Sequence, residues 1–301
     1  FASCTGLCDQ GPALLVNHHH VVTRLDAARV AQIAALIESR VPVDEWPADW
    51  FAIVDNVQRA DVLLGTPLQP GAAIAAALER GADSMLDEMK RSNLRGRGGA
   101  GFATGQKWSL CRAAPGAEHY VVCNADEGEP GTFKDRVLLA SHADLVFEGM
   151  TVAALVVGAR RGLVYLRGEY RYLLEHLEAV LQRRREQHLL GASIQGRAGF
   201  DFDIEIHVGA GAYVCGEESS LIESLEGKRG TPRIRPPFPV EHGYLGQPTT
   251  VNNVETYCAA THIALNGGVW WAGIGTPRST GTKIHSVSGD CERPGIYEYP
   301  F

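Results

Sequence analysis

The sequence predicts an α/β fold built on a parallel sheet, and two observations carry that prediction. Between Gly71 and about Thr276, strand-like and helix-like segments alternate, the pattern of a sheet whose strands are joined by crossover helices. The strand-like segments also run into turns rich in glycine or acidic residues, and ligands of open α/β sheets sit at such strand ends.

Taken in order, Asp26 opens an amphipathic helix with Val30, Ile33 and Ile37 at helical spacing. Before it, His18–His20 lies in what reads as a hairpin turn, and without carboxylate or thiol partners it is a surface run rather than a metal site. Residues 42–70 hold proline, tryptophan and acidic residues, a connector packed on its neighbour. Residues 72–95 read as helix interrupted at Gly81. EHYVVC (118–123) is a short strand, DLVFEGMTVAALVVG (144–158) a helix and GLVYLRG (162–168) a strand. EYRYLLEHLEAVLQRRREQ (169–187) is the next helix. Phe202, Ile204, Ile206 and Val208 alternate as a strand, and a helix over Cys215–Glu226 carries Glu217 and Glu218 in its first turn. QPTTVNNVET reads as a loop presenting adjacent amides at Asn252 and Asn253, and the residues after Thr276 read as a β-hairpin.

The chain has 301 residues, net charge −7 and 7 cysteines. No basic patch is dense enough for nucleic acid, since Arg183–Arg185 is the only triple-basic run and suits a solvated helix face. The longest apolar stretch, Thr151–Ala159, falls short of the ~18–20 residues of a membrane span. The sequence does not open on Met and shows no signal-peptide pattern, so a cytoplasmic chain with a cut start is expected.

Chemistry concentrates in LRGRGGAGFATGQKWSL (94–110). Glycines this dense let backbone N–H groups approach a phosphate. A mobile linker would not need Phe102, Lys107 and Trp108. Gly96, Gly98 and Gly101 fit G-x-G-x-x-G, but a helix rather than a strand precedes them, so the Rossmann fingerprint fails on context. The P-loop fails as well, because Gln106 separates Gly105 from Lys107 and Trp108 separates Lys107 from Ser109. NADEGEPGTFKDR places Asn124, Asp126, Glu127 and Glu129 on a turn after a strand; a solvated acidic loop is the alternative. Glu217 and Glu218 could be mere compensation of the helix dipole. The four stretches together point to a cofactor site.

GRGGAGFATGQKWS, NADEGEPGTFKDR, GAGAYVCGEESSLIESLEGKRGTPR, RPPFPVEHGYLGQPTTVNNVET and SVSGDCERPGIYEYPF together resemble the flavin subunits of NADH-oxidising modules. That family includes the NADH-binding flavoprotein of respiratory complex I and the flavin subunits of formate dehydrogenases and of NAD-reducing [NiFe] hydrogenases. CTGLCDQGPALLVN, EYRYLLEHLEAVL and GDCERPGIYEYPF bring the hydrogenase diaphorase branch nearest. The resemblance implies a Rossmann-like FMN- and NADH-binding domain over 71–275. It also implies the tail of a thioredoxin-like [2Fe–2S] domain over 1–42, a connector over 43–70, and the start of a ubiquitin-like β-grasp domain over 276–301.

The implied activity passes a hydride between NAD(H) and FMN and single electrons to iron–sulfur clusters, so no catalytic side chain is expected. By the resemblance, Gly96, Arg97, Gly98, Gly99, Gly101 and Gly105 line the dinucleotide and flavin face. Asn124, Asp126, Tyr213, Glu217, Asn252 and Asn253 would hold FMN. Phe102, Lys107, Glu129, Glu218 and Phe238 would receive NAD(H), with Glu127 and Gly216 in the same cofactor-binding set. Leu110 stands where an aromatic residue often completes the adenine sandwich, and Arg235 where Lys is common. Cys4 and Cys8 resemble half of a [2Fe–2S] ligand set, and a [4Fe–4S] cluster is expected in a missing C-terminal part. The implied partners are a small diaphorase iron–sulfur subunit and hydrogenase subunits. Formate dehydrogenase, complex I or a non-catalytic scaffold remain the alternatives.

Overall fold

The computed structural model describes residues 4–17 and 19–301. β1 (Leu14–Val16) and β2 (His20–Val22) form an antiparallel hairpin, as the histidine run suggests; His18 itself lies outside the described residues. α1 (Ala27–Glu38) starts where Asp26 accepts a 2.7 Å hydrogen bond from the Arg29 N–H, which satisfies one orphan donor of the first turn. Of its three periodic residues only Ile33 is buried, while Val30 and Ile37 face outward. The seam runs instead through Ile33 and Leu36 against Trp46 and Trp50, a small core of its own.

The connector does more than pack. It supplies β3 (Val57–Arg59) and α2 (Val62–Gly65). α3 (Ala72–Arg80) and α4 (Ala82–Arg91) are separate helices broken at Gly81, whose φ of +80° suits glycine. α5 (Thr104–Ala113) then leads to β4 (Tyr120–Ala125). α6 (Lys134–Ser141) and α7 (Ala143–Val157) return the chain to β5 (Arg161–Leu166), and α8 (Leu174–Glu186) to β6 (Asp203–Val208).

The helix expected over Cys215–Glu226 begins later, as α9 (Glu218–Leu225). Glu217 is its cap rather than part of its first turn, because its carboxylate accepts from the N–H groups of Ser219 and Ser220. α10 (Pro239–His242) precedes β7 (Thr249–Asn253). Thus the stretch read as a loop is a buried strand: Thr249, Thr250 and Val251 are β-branched and favour the pleated backbone. α11 (Val254–Asn266) and α12 (Gly268–Ala272) follow. α11 crosses α7 so closely that a Cβ on Gly149 would lie 2.0 Å from the Tyr257 carbonyl oxygen.

The main sheet is all parallel, in the order β6-β5-β4-β7. At the C-terminal side lie a two-residue pair, β8 (Gly275–Thr276) with β9 (Ser279–Thr280), and the expected hairpin of β10 (Thr282–Val287) and β11 (Gly295–Pro300). β11 also pairs in parallel with β3. The buried Glu298 on β11 accepts from the N–H groups of Asp61, Leu63 and Leu64 at 2.9, 2.7 and 3.0 Å, capping α2. No single helix among the described residues is long and apolar enough to cross a membrane.

Candidate cofactor site

After β4 the chain builds outward through β5 and β6, and it then returns to place β7 on the other side of β4. Connections therefore diverge between β4 and β7, and the sheet opens a crevice at their C-terminal ends. Asn124 is paired with Asn253 there, and Cys123 with Asn252.

The glycine run closes this crevice as a lasso. Arg95 bridges Ala103, and the Gly96 N–H donates to the Phe102 carbonyl at 2.9 Å. Gly99 and Gly101 adopt φ of +118° and +66°, a region that side chains resist. Among the described residues, the N–H groups of Gly98, Gly99, Ala100, Gly101 and Phe102 make no internal hydrogen bond. Such clustered amides suit an anionic oxygen.

Arg97 does not reach into this space. Its buried guanidinium donates to the carbonyls of Thr280 and Thr282 at 2.7 and 3.0 Å and braces the lasso against the C-terminal strands. Gly105 serves a helix contact, since a Cβ there would sit 2.7 Å from the Lys90 nitrogen on α4.

Below the lasso lies a cavity of about 700 Å³. Gly96, Gly98, Gly101, Phe102 and Lys107 form one wall, and Asn124, Gly216, Glu217 and Glu218 another. Phe238, Asn252 and Asn253 complete it. Phe102 and Phe238 keep 45% and 48% of their surface exposed, two ring faces available for stacking. Leu110, also half exposed, shares that apolar rim.

Charge in the cavity is arranged in pairs. Lys107 donates to Glu218 at 3.0 Å and to the Val251 carbonyl at 3.0 Å. The Arg235 guanidinium lies 3.2 Å from Glu217. Burial pushes the Glu217 carboxyl up, but bonds from Ser219 and Ser220, with Arg235 nearby, outweigh it and hold the group below the usual range.

Several candidate residues are already engaged. Asn252 accepts from the Trp108 indole N–H at 2.9 Å. Asn253 caps α11 through the Glu255 N–H and accepts from Lys134 at 3.0 Å. Glu127 is buried behind the cavity, where it accepts from the Asp135 N–H, the Arg136 N–H and the Tyr170 hydroxyl. Burial, reinforced by Asp135, pushes the Glu127 carboxyl up to about 7. Glu129 and Tyr213 meet at the surface with an O···O distance of 2.5 Å. Neither lines the cavity.

Asp126 is different. It does not line the cavity but lies behind Gly216, and its Oδ2 is buried without a hydrogen-bond partner among the described residues. The idle amides fit a polar cofactor, and the 700 Å³ volume is within the range of small-molecule sites.

Sequence reasoning did not single out Gln106, Val240, Glu241 and Val251, which also line the cavity. Val251 carried no periodic signal, because its strand reads Thr-Thr-Val-Asn-Asn and is buried at consecutive positions. Cys4 and Cys8 lie on the far side of the acidic turn, with sulfurs 3.7 Å apart. Cys8 accepts from the Gly131 N–H, and Arg167 donates to the Cys4 carbonyl at 2.5 Å. Among the described residues no group of three or more His, Cys, Asp or Glu side chains placed to hold a metal ion occurs, and a [2Fe–2S] cluster needs four thiolates, of which these could be two.

A protein-family model, the Nuo51 FMN-binding domain, matches residues 89–262, from the end of α4 through α11, and so takes in the whole cavity. The chain belongs to that family. Similarity to Nuo51-type proteins extends further along the chain. The HoxS alpha subunit of the NAD-reducing hydrogenase of Cupriavidus necator is 51% identical over 98% of this chain and 51% of its own length. A subunit of the NADH-quinone oxidoreductase of Rhizobium meliloti is 49% identical over 72% of this chain and 52% of its own. A crystal structure of NAD+-reducing [NiFe]-hydrogenase in the H2-reduced state superposes with a TM-score of 0.91 at 49% identity, covering 99% of this chain and 51% of that one. The chain thus spans about half the length of the relatives it matches.

Proposed function

We propose that this chain holds FMN and NAD(H) in one cavity and forms the hydride-accepting part of a diaphorase subunit, that of an NAD-reducing hydrogenase. The observation that carries this reading is the β4–β7 crevice, roofed by the glycine lasso and faced by Lys107 and Glu218. When bound, the flavin takes the two electrons of a hydride together and releases them singly.

The chain's own residues bind and orient. The amides of residues 98–102 offer donors to a phosphate, Asn124 on β4 faces the flavin, and Asp126 supports the same end of the cavity from behind Gly216. Phe102 and Phe238 stack the adenine, while Lys107 and Glu218 hold the charged and hydroxyl groups of the nucleotide. Glu217 and Arg235 lie at the same end of the cavity and complete its polar wall. Cys4 and Cys8 give two ligands of a [2Fe–2S] cluster in the whole protein, and the electrons pass on to a small iron–sulfur subunit and hydrogenase subunits. Seven free thiols suit a reducing cytoplasm.

The test is direct. The whole protein, isolated with its partners, is denatured and the released flavin chromatographed, and NADH–ferricyanide turnover is measured before denaturation. Non-covalent FMN near one per chain, NADH turnover and a co-purifying nickel-bearing subunit are expected. FAD as the main flavin, or no turnover, would overturn the reading. A molybdenum-bearing or quinone-reducing partner would move the chain to another branch of the family.

A further inference from the structure

Asn253 stands where β7 ends and α11 begins, and it lines the cavity. Its Oδ1 accepts from the Glu255 N–H at 3.1 Å and from the Lys134 ammonium at 3.0 Å. Its Nδ2 donates to Oδ2 of Asp135 at 2.6 Å. An amide oxygen has two lone pairs, and an amide nitrogen has two protons. Both lone pairs are therefore spent within the protein, and one N–H is left over.

The reverse orientation is opposed by charge. A flipped amide would set its NH2 against the Lys134 ammonium and the Glu255 N–H, donor against donor. Its carbonyl would face the Asp135 carboxylate, acceptor against acceptor. Lys134 and Asp135, the first two residues of α6, grip the two ends of one amide.

Neither of them lines the cavity. The ammonium has three protons, and it faces Oδ1 of Asp135 at 2.7 Å, Oδ1 of Asn253 at 3.0 Å and Oε2 of Glu255 at 3.0 Å. Burial opposes its charge, but Asp135, Glu255 and Glu127 outweigh burial and hold its pKa above the usual value. No proton of Lys134 remains to meet a ligand, so what it does for one passes through Asn253.

The lasso lies against the same residue. A Cβ on Gly98 would stand 3.1 Å from the Asn253 Cβ, and the idle amides of residues 98–102 begin at that glycine. The leftover N–H of Asn253 joins this set of donors.

We propose that Lys134 and Asp135 are positioning residues, which hold Asn253 as a fixed hydrogen-bond donor to an acceptor atom of the bound flavin nucleotide. This rests on the flavin reading above and adds to it the pair that orients one of its contacts. A freely turning amide would present its carbonyl to that acceptor as readily as its N–H.

The test is a double-mutant cycle on the full-length protein in its assembled complex, stripped of flavin and titrated with FMN. Asn253→Ala should weaken FMN binding about tenfold, the worth of one hydrogen bond. Lys134→Met should weaken it by a similar factor. The double variant should bind like either single one, because Lys134 has nothing to act through once the amide is gone. Urea midpoints separate this from a merely structural role. Lys134→Met should lower the midpoint in both backgrounds, since Asp135 and Glu255 lose their cation in each. Should Lys134→Met not fold, the same cycle run with Asp135→Ala decides. Losses that multiply to about a hundredfold in the double variant overturn the proposal, as does FMN binding unchanged in either single variant. Those results leave the flavin reading in place, whereas a wild type that takes up no FMN removes both.

Discussion

The ammonium of Lys107 lies 3.0 Å from Oε2 of Glu218, so the cation and the carboxylate that face the cavity are neutralised against each other. A nucleotide that uses both must open this pair, and removing either charge leaves the other available.

Glu218→Gln removes the charged acceptor offered to the nucleotide, and although it frees Lys107 it should weaken nucleotide recognition without emptying the flavin site. Loss of one charge-assisted hydrogen bond costs roughly 1.5–3 kcal/mol, which lowers kcat/KM for NADH about ten- to hundredfold. Steady-state ferricyanide reduction and flavin content, measured on the same preparation, check this. Unchanged kcat/KM would contradict the placement of Glu218 on the nucleotide.

Gly105→Ala tests the role of a glycine within the glycine run. Its Cβ would press on the Lys90 backbone, 2.7 Å away, and backbone yields little. Overpacking of this kind costs about 1–3 kcal/mol, so urea denaturation should shift to lower midpoints. Full stability would show that α4 and α5 can part there at no cost.

The buried His262 gives the fold a predictable weakness in acid. Burial, with His142 adding to it, depresses its pKa from 6.5 to about 4. A base whose folded pKa is lowered stabilises the neutral fold above its unfolded value, and the contribution is lost as pH falls from about 6.5 towards 4. Between about pH 7.5 and pH 5 this amounts to about 2 kcal/mol. Stability measured at the two pH values should differ by less in His262→Gln, and an unaltered difference would remove His262 from the account.

Cys4→Ala and Cys8→Ala in the full-length protein should each abolish the [2Fe–2S] signal. Neither sulfur lines the cavity, so flavin content should survive. Iron and sulfide analysis with low-temperature EPR gives the answer, and a cluster intact in both variants would show that its ligands lie elsewhere.

Much of the site was legible because its signals are local. The glycine lasso, the acidic turn and the Glu217–Glu218 helix start each announce themselves within about ten residues, through residue types with few alternative uses. What stayed hidden depends on distant partners. Nothing near Arg97 says that its guanidinium will go to the carbonyls of Thr280 and Thr282. Nothing near Glu127 says that Tyr170 will donate to it. β3 was invisible for another reason: Val57, Gln58 and Arg59 are too few to show an alternation. Its partner strand β11 is what makes it a strand.

The parallel pairing of β3 with β11, with Glu298 seated on the start of α2, also sets an order of events during synthesis. Asp61 and Glu298 are 237 positions apart. At ~5–20 residues per second, the ribosome needs about 10–50 s to deliver the second after the first. Until then β3 has a bare edge, α2 lacks its cap and the sheet seam cannot close. The early part of this chain is therefore held open by its late part, and a nascent protein stalled before residue 295 would present that unfinished edge to chaperones or to another copy of itself.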